Sequence, residues 1–189
     1  VVDVANPTAP VEVGAYVGLE QAHAVEVAAS YAYIADWYFG LRIINVANPA
    51  APVEVGAYPM GLHNRSVAVA GNYAYVTEDL GGLHVVDVAD PVAPVEVGAY
   101  NLPSPPYDVA VVGNYAYVAD NDRGLRVVDV TNPAAPVEVG FYDTPGNAYD
   151  VAVAGNYAYV ADLFQGLRVI NVANPTAPVE VGFYNTSVD

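Results

Sequence analysis

The segment Pro-Val-Glu-Val-Gly begins at Pro10, Pro52, Pro94, Pro136 and Pro178, so each interval is 42 residues with no insertion or deletion. The same step links Tyr31, Tyr73, Tyr115 and Tyr157, and also Leu41, Leu83, Leu125 and Leu167. A period of this length marks an array of supersecondary units, each too small to bury its own apolar faces. The chain divides into units 23–64, 65–106, 107–148 and 149–189, preceded by a half unit at 1–22.

Each unit reads as four short strands. In the third, strand A is YDVAVVG, strand B is YAYVAD, strand C is GLRVVDV and strand D is PVEVGFY. Alternation and enrichment in β-branched and aromatic residues support strands. Gly-Asn separates A from B. Asn-Pro-Ala-Ala-Pro separates C from D, where an Asn side chain can form an Asx-turn and the prolines cannot donate to a ladder. Four strands in about 40–45 residues is the signature of a propeller blade. The expected fold is all-β: a β-propeller of four-stranded antiparallel blades, four complete and one half, either five-bladed or part of a larger ring. Tyr115 and Tyr117 project to one side of strand B, with Ala116 and Val118 on the other. Large residues of one blade facing small ones of the next would fill the joint at interior density.

The strand GLRVVDV, with its variants GLRIINV, GLHVVDV and GLRVINV, is followed by an Asn-Pro or Asp-Pro turn and then by P-V-x-V-G-x-Y. This combination resembles the LVIVD-repeat family of β-propellers, found in bacterial and archaeal surface or secreted proteins. The resemblance covers the whole chain. It implies a propeller fold and an extracellular or cell-surface location, and it brings no catalytic residues to carry over.

Composition narrows the partners. The chain has no Cys, five Arg as its only Lys/Arg residues, and 21 acidic residues, for a net charge of −16. Lack of Cys excludes disulfides, zinc-thiolate sites and cysteine nucleophiles. A nucleic-acid backbone or an anionic membrane would be repelled, so neither is an expected partner. A cationic protein or peptide and a neutral glycan fit the charge. Val1 aligns with Val127 inside strand C, and Asp189 precedes the point where a further strand A would start. The expectation is a fragment, or a chain that begins and ends mid-blade. Two such copies could not complete each other's blade, since each offers only strands C and D.

Divergence among the units is confined to two loops. The A–B and C–D turns barely change. The B–C loops read WYF, DLG, NDR and LFQ, and the D–A segments VGLEQAH, PMGLHNR, NLPSPPY and DTPGNAY. In a blade these two loops share one face. Variable loops on a rigid scaffold are where binding usually resides. Their large apolar residues (Trp37, Tyr38, Phe39, Met60, Leu62, Leu102, Leu163 and Phe164) either form an interaction patch or fold back as core caps. Trp37, Tyr38 and Phe39, with His23, are expected to form an aromatic patch, with at least one of the three loop rings exposed. His23, Arg65, Tyr107 and Tyr149 open the four A strands and would ring the channel mouth. Just below, Asp108 and Asp150 could hold a cation or a sugar hydroxyl, or accept hydrogen bonds from loop amides.

Other polar positions read as structural. Asp3, Asn45, Asp87, Asp129 and Asn171 share one position and should bond to the following turn. The Glu of PVEVG lies on the outermost strand, where a charge blunts an exposed edge. Asp36, Asp120 and Asp162 face Arg42, Arg126 and Arg168 across the B–C hairpin, as exposed pairs contributing under about 1 kcal/mol; Glu78 and His84 replace them in the second unit. Asn64 and Asn185 each begin a glycosylation triplet. The three His fall in different blades or loops, not at metal-ligand spacing, the chain has no G-x-S-x-G or phosphate loop, and Asp120-Asn121-Asp122 lacks the rest of a calcium loop. No cofactor, metal or catalytic residue is expected. The functional expectation is a non-catalytic recognition or scaffolding module with its ligand, glycan or protein, on the variable face at Trp37, Tyr38, Phe39, His23, Arg65, Tyr107 and Tyr149. Its rivals are a structural repeat that self-assembles through the half-blade, and a hydrolase using the channel-mouth residues.

Overall fold

A computed structural model describes residues 1–186. Strands β1 (Val2–Asp3) and β2 (Val11–Glu12) form a two-stranded sheet. Four antiparallel sheets follow, each of four strands in sequence order. Blade 1 holds β3 (Ala22–Ala28), β4 (Tyr31–Asp36), β5 (Gly40–Asn45) and β6 (Val53–Tyr58). Blade 2 holds β7 (Asn64–Ala70), β8 (Tyr73–Glu78), β9 (Gly82–Asp87) and β10 (Val95–Tyr100). Blade 3 holds β11 (Asp108–Val112), β12 (Tyr115–Ala119), β13 (Leu125–Asp129) and β14 (Val137–Tyr142). Blade 4 holds β15 (Asp150–Ala154), β16 (Tyr157–Ala161), β17 (Leu167–Asn171) and β18 (Val179–Tyr184), with one 3-10 turn at Leu163–Gln165. The A strands β3, β7, β11 and β15 pack side by side around the axis. The sheets follow an arc that does not close: no comparable packing joins blade 4 to β1–β6.

The expected turns are present. Asp3, Asn45, Asp87, Asp129 and Asn171 each accept a bond from the amide two residues on, at 2.8–2.9 Å. Asn6, Asn48, Asp90, Asn132 and Asn174 close Asx-turns in the same way.

Packing follows the large-against-small rule. At the joint of blades 3 and 4, Tyr117, Leu125 and Val127 meet Val151, Ala158, Val160, Ile170 and Val172. Equivalent sets meet at the joints of blades 1 and 2 and of blades 2 and 3. Each joint is also locked by backbone contact. A Cβ added at Gly56, Gly98 or Gly140 would overlap the carbonyl oxygen of Pro91, Pro133 or Pro175 in the next blade. The half-blade sits as a preceding blade would. A Cβ on Gly14 would overlap the Pro49 carbonyl, and Tyr16 and Leu19 pack on Ala32, Ile34 and Ile44.

Two expectations about charged residues are corrected. The Asp carboxylates of the B–C hairpin are fully buried, not exposed. Asp120 and Asp162 lie 3.5 and 3.4 Å from Arg126 and Arg168, whereas Arg42 turns to Glu54 instead of Asp36. Secondly, the PVEVG glutamates of the full blades do more than guard an edge. A β-bulge at Val55, Val97, Val139 and Val181 re-aims the strand beside them. Glu54, Glu96, Glu138 and Glu180 then face the Arg or His of their own blade. Glu54, Glu138 and Glu180 also accept the Tyr16, Tyr100 and Tyr142 hydroxyls of the preceding unit, at 2.5, 3.4 and 3.3 Å. This tie between blades was not evident from strand order alone.

Candidate functional site

The variable face carries a row of stacked side chains that crosses the blades. Trp37, from the B–C loop of blade 1, lies between two imidazoles. His23 stacks on it with centroids 4.3 Å apart, and His63, from the D–A segment, tilts against it at 4.4 Å. The Arg65 guanidinium sits 5.0 Å from the Trp37 ring and 4.1 Å from that of Tyr107, bridging both by cation–π contact. Tyr107 then stacks on Tyr149 at 4.0 Å. Five of the seven expected residues therefore form one line: His23, Trp37, Arg65, Tyr107 and Tyr149.

Backbone and charge hold the row in place. Trp37 donates its amide to the Gln21 carbonyl at 2.8 Å and accepts from the His63 amide at 2.6 Å. Asp79 occupies in blade 2 the repeat position of Trp37. It pairs with Arg65 through two nitrogens, the Nη2 contact measuring 3.0 Å, and with His63 Nδ1 at 3.0 Å. Burial works against the Arg65 charge, but the bond and charge of Asp79 outweigh it, so the guanidinium is held more firmly protonated than usual. The hydrogen bond to Tyr149, then burial, pushes the Tyr107 phenol above its ordinary range.

Tyr38 and Phe39 stand apart from this row. They turn outward, each 45% exposed, and only Phe39 nears a cation, 5.8 Å from the Arg42 guanidinium. The expectation that at least one of the three loop rings is exposed is met by these two. The other apolar loop residues divide between the two alternatives. Met60 and Leu102 pack against the joints as caps. Leu62, Leu80, Leu163 and Phe164 are exposed. Leu80 was not singled out in the sequence. His63 and Asp79 were also missed as parts of the row, though Asp79 shares the repeat column of Trp37 and His63 lies two positions before that of His23.

Along the inner side of the arc of A strands lies a cavity of about 410 Å³, bordered by Ala24, Glu26, Ser66, Asp108 and Ala110 among others. Asp108 links blades: it accepts from the Ser66 hydroxyl at 2.5 Å and from the Val151 amide at 2.9 Å. The donors are thus a side chain and a strand amide, not loop amides. Asp150 is pushed above the usual carboxylate range by desolvation and then by the Asp108 charge. Among the described residues no cluster of His, Asp or Glu has a metal-binding arrangement. Asn64, expected as a glycosylation acceptor, is fully buried and donates to the Asp36 and Gly61 carbonyls. The triplet at Asn185 extends outside the described residues.

The LVIVD repeat model matches residues 1–17, 21–59, 63–102, 107–144 and 145–186. The chain belongs to the LVIVD repeat family. Solved structures similar to it include a functionally unknown protein from Desulfotomaculum acetoxidans DSM 771, with TM-score 0.76 and 12% identity, covering 93% of this chain and 61% of that one. The computationally designed Ika4 protein matches with TM-score 0.67 and 10% identity over 85% of this chain and 97% of that one. The designed Ika8 protein gives 0.69 and 8% over 88% and 51%. The chain thus spans about half the length of Ika8 and 61% of the Desulfotomaculum protein. At these identities the likeness concerns the fold alone. No curated protein matches the chain. Among the described residues no helix is long and apolar enough to cross a membrane.

Proposed function

We propose that this LVIVD propeller segment is a non-catalytic recognition module of an extracellular or cell-surface protein, and that its ligand rests on the variable face beside the stacked row. The observation that carries this reading is the pairing of a fixed row (His23, Trp37, His63, Arg65, Tyr107) with outward rings at Tyr38 and Phe39. A rigid base with projecting aromatic side chains is the usual anatomy of a binding surface, because rings supply contact area with little rotamer entropy to lose. The partner best suited is a protein or peptide with cationic and aromatic side chains. The net charge of −16 would steer it. Both faces of Trp37 are occupied by imidazoles, which leaves no free indole face for a sugar ring, so a glycan would have to rest on Tyr38 or Phe39.

Calorimetric titration of a peptide of alternating Lys and Trp tests this. Wild type should bind at physiological salt. Replacing Tyr38 and Phe39 together by Ala leaves the charge unchanged, and should weaken binding at least tenfold, about 1.4 kcal/mol. Equal binding by the double variant would mean that charge alone attracts the peptide, and the reading fails. Retention on a neutral glucan column, lost in the same variant, would instead make the ligand a glycan.

A further inference from the structure

A buried carboxylate stands where strand B meets its B–C loop in every full blade: Asp36, Glu78, Asp120 and Asp162. Three of the four are held by loop donors. Asp36 accepts the Glu20 and Tyr38 amides, each at 3.2 Å. Glu78 accepts the amides of Leu80 and Gly81. Asp162 accepts the Thr144 hydroxyl at 2.6 Å and the Gly146 amide at 2.9 Å. Asp120 is as deeply buried, yet neither of its oxygens has a hydrogen-bond partner.

The cause lies in the D–A segment above it, residues 101–106, NLPSPP. Leu102 stands where Thr144 carries its hydroxyl, and the three prolines have no amide to give. The Ser104 amide draws near Asp120 without the geometry of a bond, and the Ser104 hydroxyl goes to Asp122 instead, at 2.6 Å. The charges around Asp120 are unbalanced as well. Arg126 is shared among Asp120 at 3.5 Å, Glu138 at 3.8 Å and Asp143 at 2.8 Å. Asp122 and Glu138 add their charges, and Tyr100 faces the group from the preceding blade. Blade 4 has neutral residues at two of these positions, Phe164 for Asp122 and Asn185 for Asp143.

We infer that segment 101–106 is a proton-operated cover, shut over Asp120 while that carboxyl holds a proton and lifted when the proton leaves, so that it controls the stacked row through Tyr107. An ionised carboxylate without donors is costly to bury. The segment cannot supply the donors that hold Asp162, so water must, and water enters only when the segment lifts. Little holds it down: Leu102 packs into the joint of blades 2 and 3, and Ser104 bonds to Asp122. The next D–A segment, by contrast, is tied through Asp162 and twice through Asn121. Burial pushes the Asp120 carboxyl up to about 7, with Arg126 and the Ser104 amide opposing and Glu138 and Asp122 adding. A raised carboxyl keeps its proton below about pH 7 and gives it up above, so the cover is shut on the acid side. Tyr107 follows the segment directly. Its amide bonds to the Ala119 carbonyl, beside Asp120, and its ring contacts Arg65 and Tyr149. Lifting the cover therefore loosens the row. The consequence for a ligand rests on the recognition reading above; the motion itself does not.

The chain has no Cys, so Pro103→Cys, at an exposed position, takes a single nitroxide label whose spectrum reads the mobility of the segment. The label should be restrained at pH 5.5 and mobile at pH 8.5, with a midpoint at about 7. Adding Asp120→Asn should keep it restrained at both. Adding Leu102→Thr, which restores the hydroxyl found at Thr144, should keep it restrained at pH 8.5. In the unlabelled chain, exchange of the Tyr107 amide, corrected for its intrinsic rate, should accelerate over the same range and not in Asp120→Asn. A spectrum and an exchange rate that ignore pH overturn the inference, as does the same pH response in Asp120→Asn. The Lys-Trp peptide then separates this inference from the recognition reading. From pH 5.5 to 8.5 its affinity should fall at least threefold more for wild type than for Asp120→Asn, and equal pH dependence overturns the link to the row. A label that responds as expected, with no peptide bound at either pH, upholds the cover and removes the recognition reading.

Discussion

Leu125→Ala and Leu167→Ala make the same substitution at the same repeat position in different surroundings. Leu125 is fully enclosed between blades 3 and 4, among Tyr117, Val127, Val151 and Val160. Truncation there forfeits the transfer free energy of the buried side chain, about 1.5–3 kcal/mol, and adds a cavity cost, for about 3–4 kcal/mol in all. Among the described residues no blade lies against Leu167, which is 39% exposed. Water can fill its place, so the cavity cost vanishes and about 1 kcal/mol is expected. Urea unfolding followed by tyrosine and tryptophan signals reads both values. Because a repeat array can unfold blade by blade, the slope must match between variants before midpoints are compared. The expected difference is at least about 2 kcal/mol. Equal costs would refute the reasoning, since they require blade 4 to be covered as fully as blade 3.

Further outcomes follow from local geometry. Gly140→Ala should destabilise the chain because its Cβ would overlap the Pro175 carbonyl, whereas Gly182→Ala should be neutral, by the same urea assay. Asp120 is fully buried, neither oxygen has a hydrogen-bond partner, and desolvation pushes its carboxyl up to about 7 in spite of Arg126. A raised carboxylate pKa means the folded state holds the proton more tightly, so stability is full below about pH 4 and falls as pH rises through 7. A rise of about three units corresponds to at most about 4 kcal/mol, and screening near the loop rim reduces this to about 2. Asp120→Asn should therefore stabilise the chain at pH 8 and lose that advantage toward pH 4; a pH-independent difference between the two proteins would contradict the assignment.

The blades, their strands and the Asx-turns were legible because each is set locally. Alternation, a Gly-Asn turn and the side chain of Asn132 act within a few residues. The packing of Tyr117 into the joint was legible because strand B shows its large and small faces openly. The burial of Asp120 and Asp162 was not, since it depends on the D–A segment folding over them. Asp162 receives Thr144 and Gly146 from that segment. Asp120 has Leu102 and Ser104 at those repeat positions, so no threonine hydroxyl reaches it as Thr144 reaches Asp162. The role of Glu138 was hidden by a bulge that shifts register within strand D, and by a tyrosine donor 38 residues away. For the candidate site, the contributing face and five members of its row were legible from where the repeats diverge. That Asp79 anchors Arg65, and that His63 takes the second face of Trp37, arises from stacking one blade on the next.

Acrylamide quenching of Trp37, the only tryptophan, tests the organised aromatic row most directly. With an imidazole on each face and the edge in solvent, the indole should quench well below free tryptophan but measurably above a buried one. Removing one cover by His63→Ala should raise the quenching constant, and the bound Lys-Trp peptide, with its own indoles replaced by tyrosine for this purpose, should lower it in wild type. Quenching as in free tryptophan, unchanged by His63→Ala and by the peptide, would mean that the row does not exist in solution and would contradict the account.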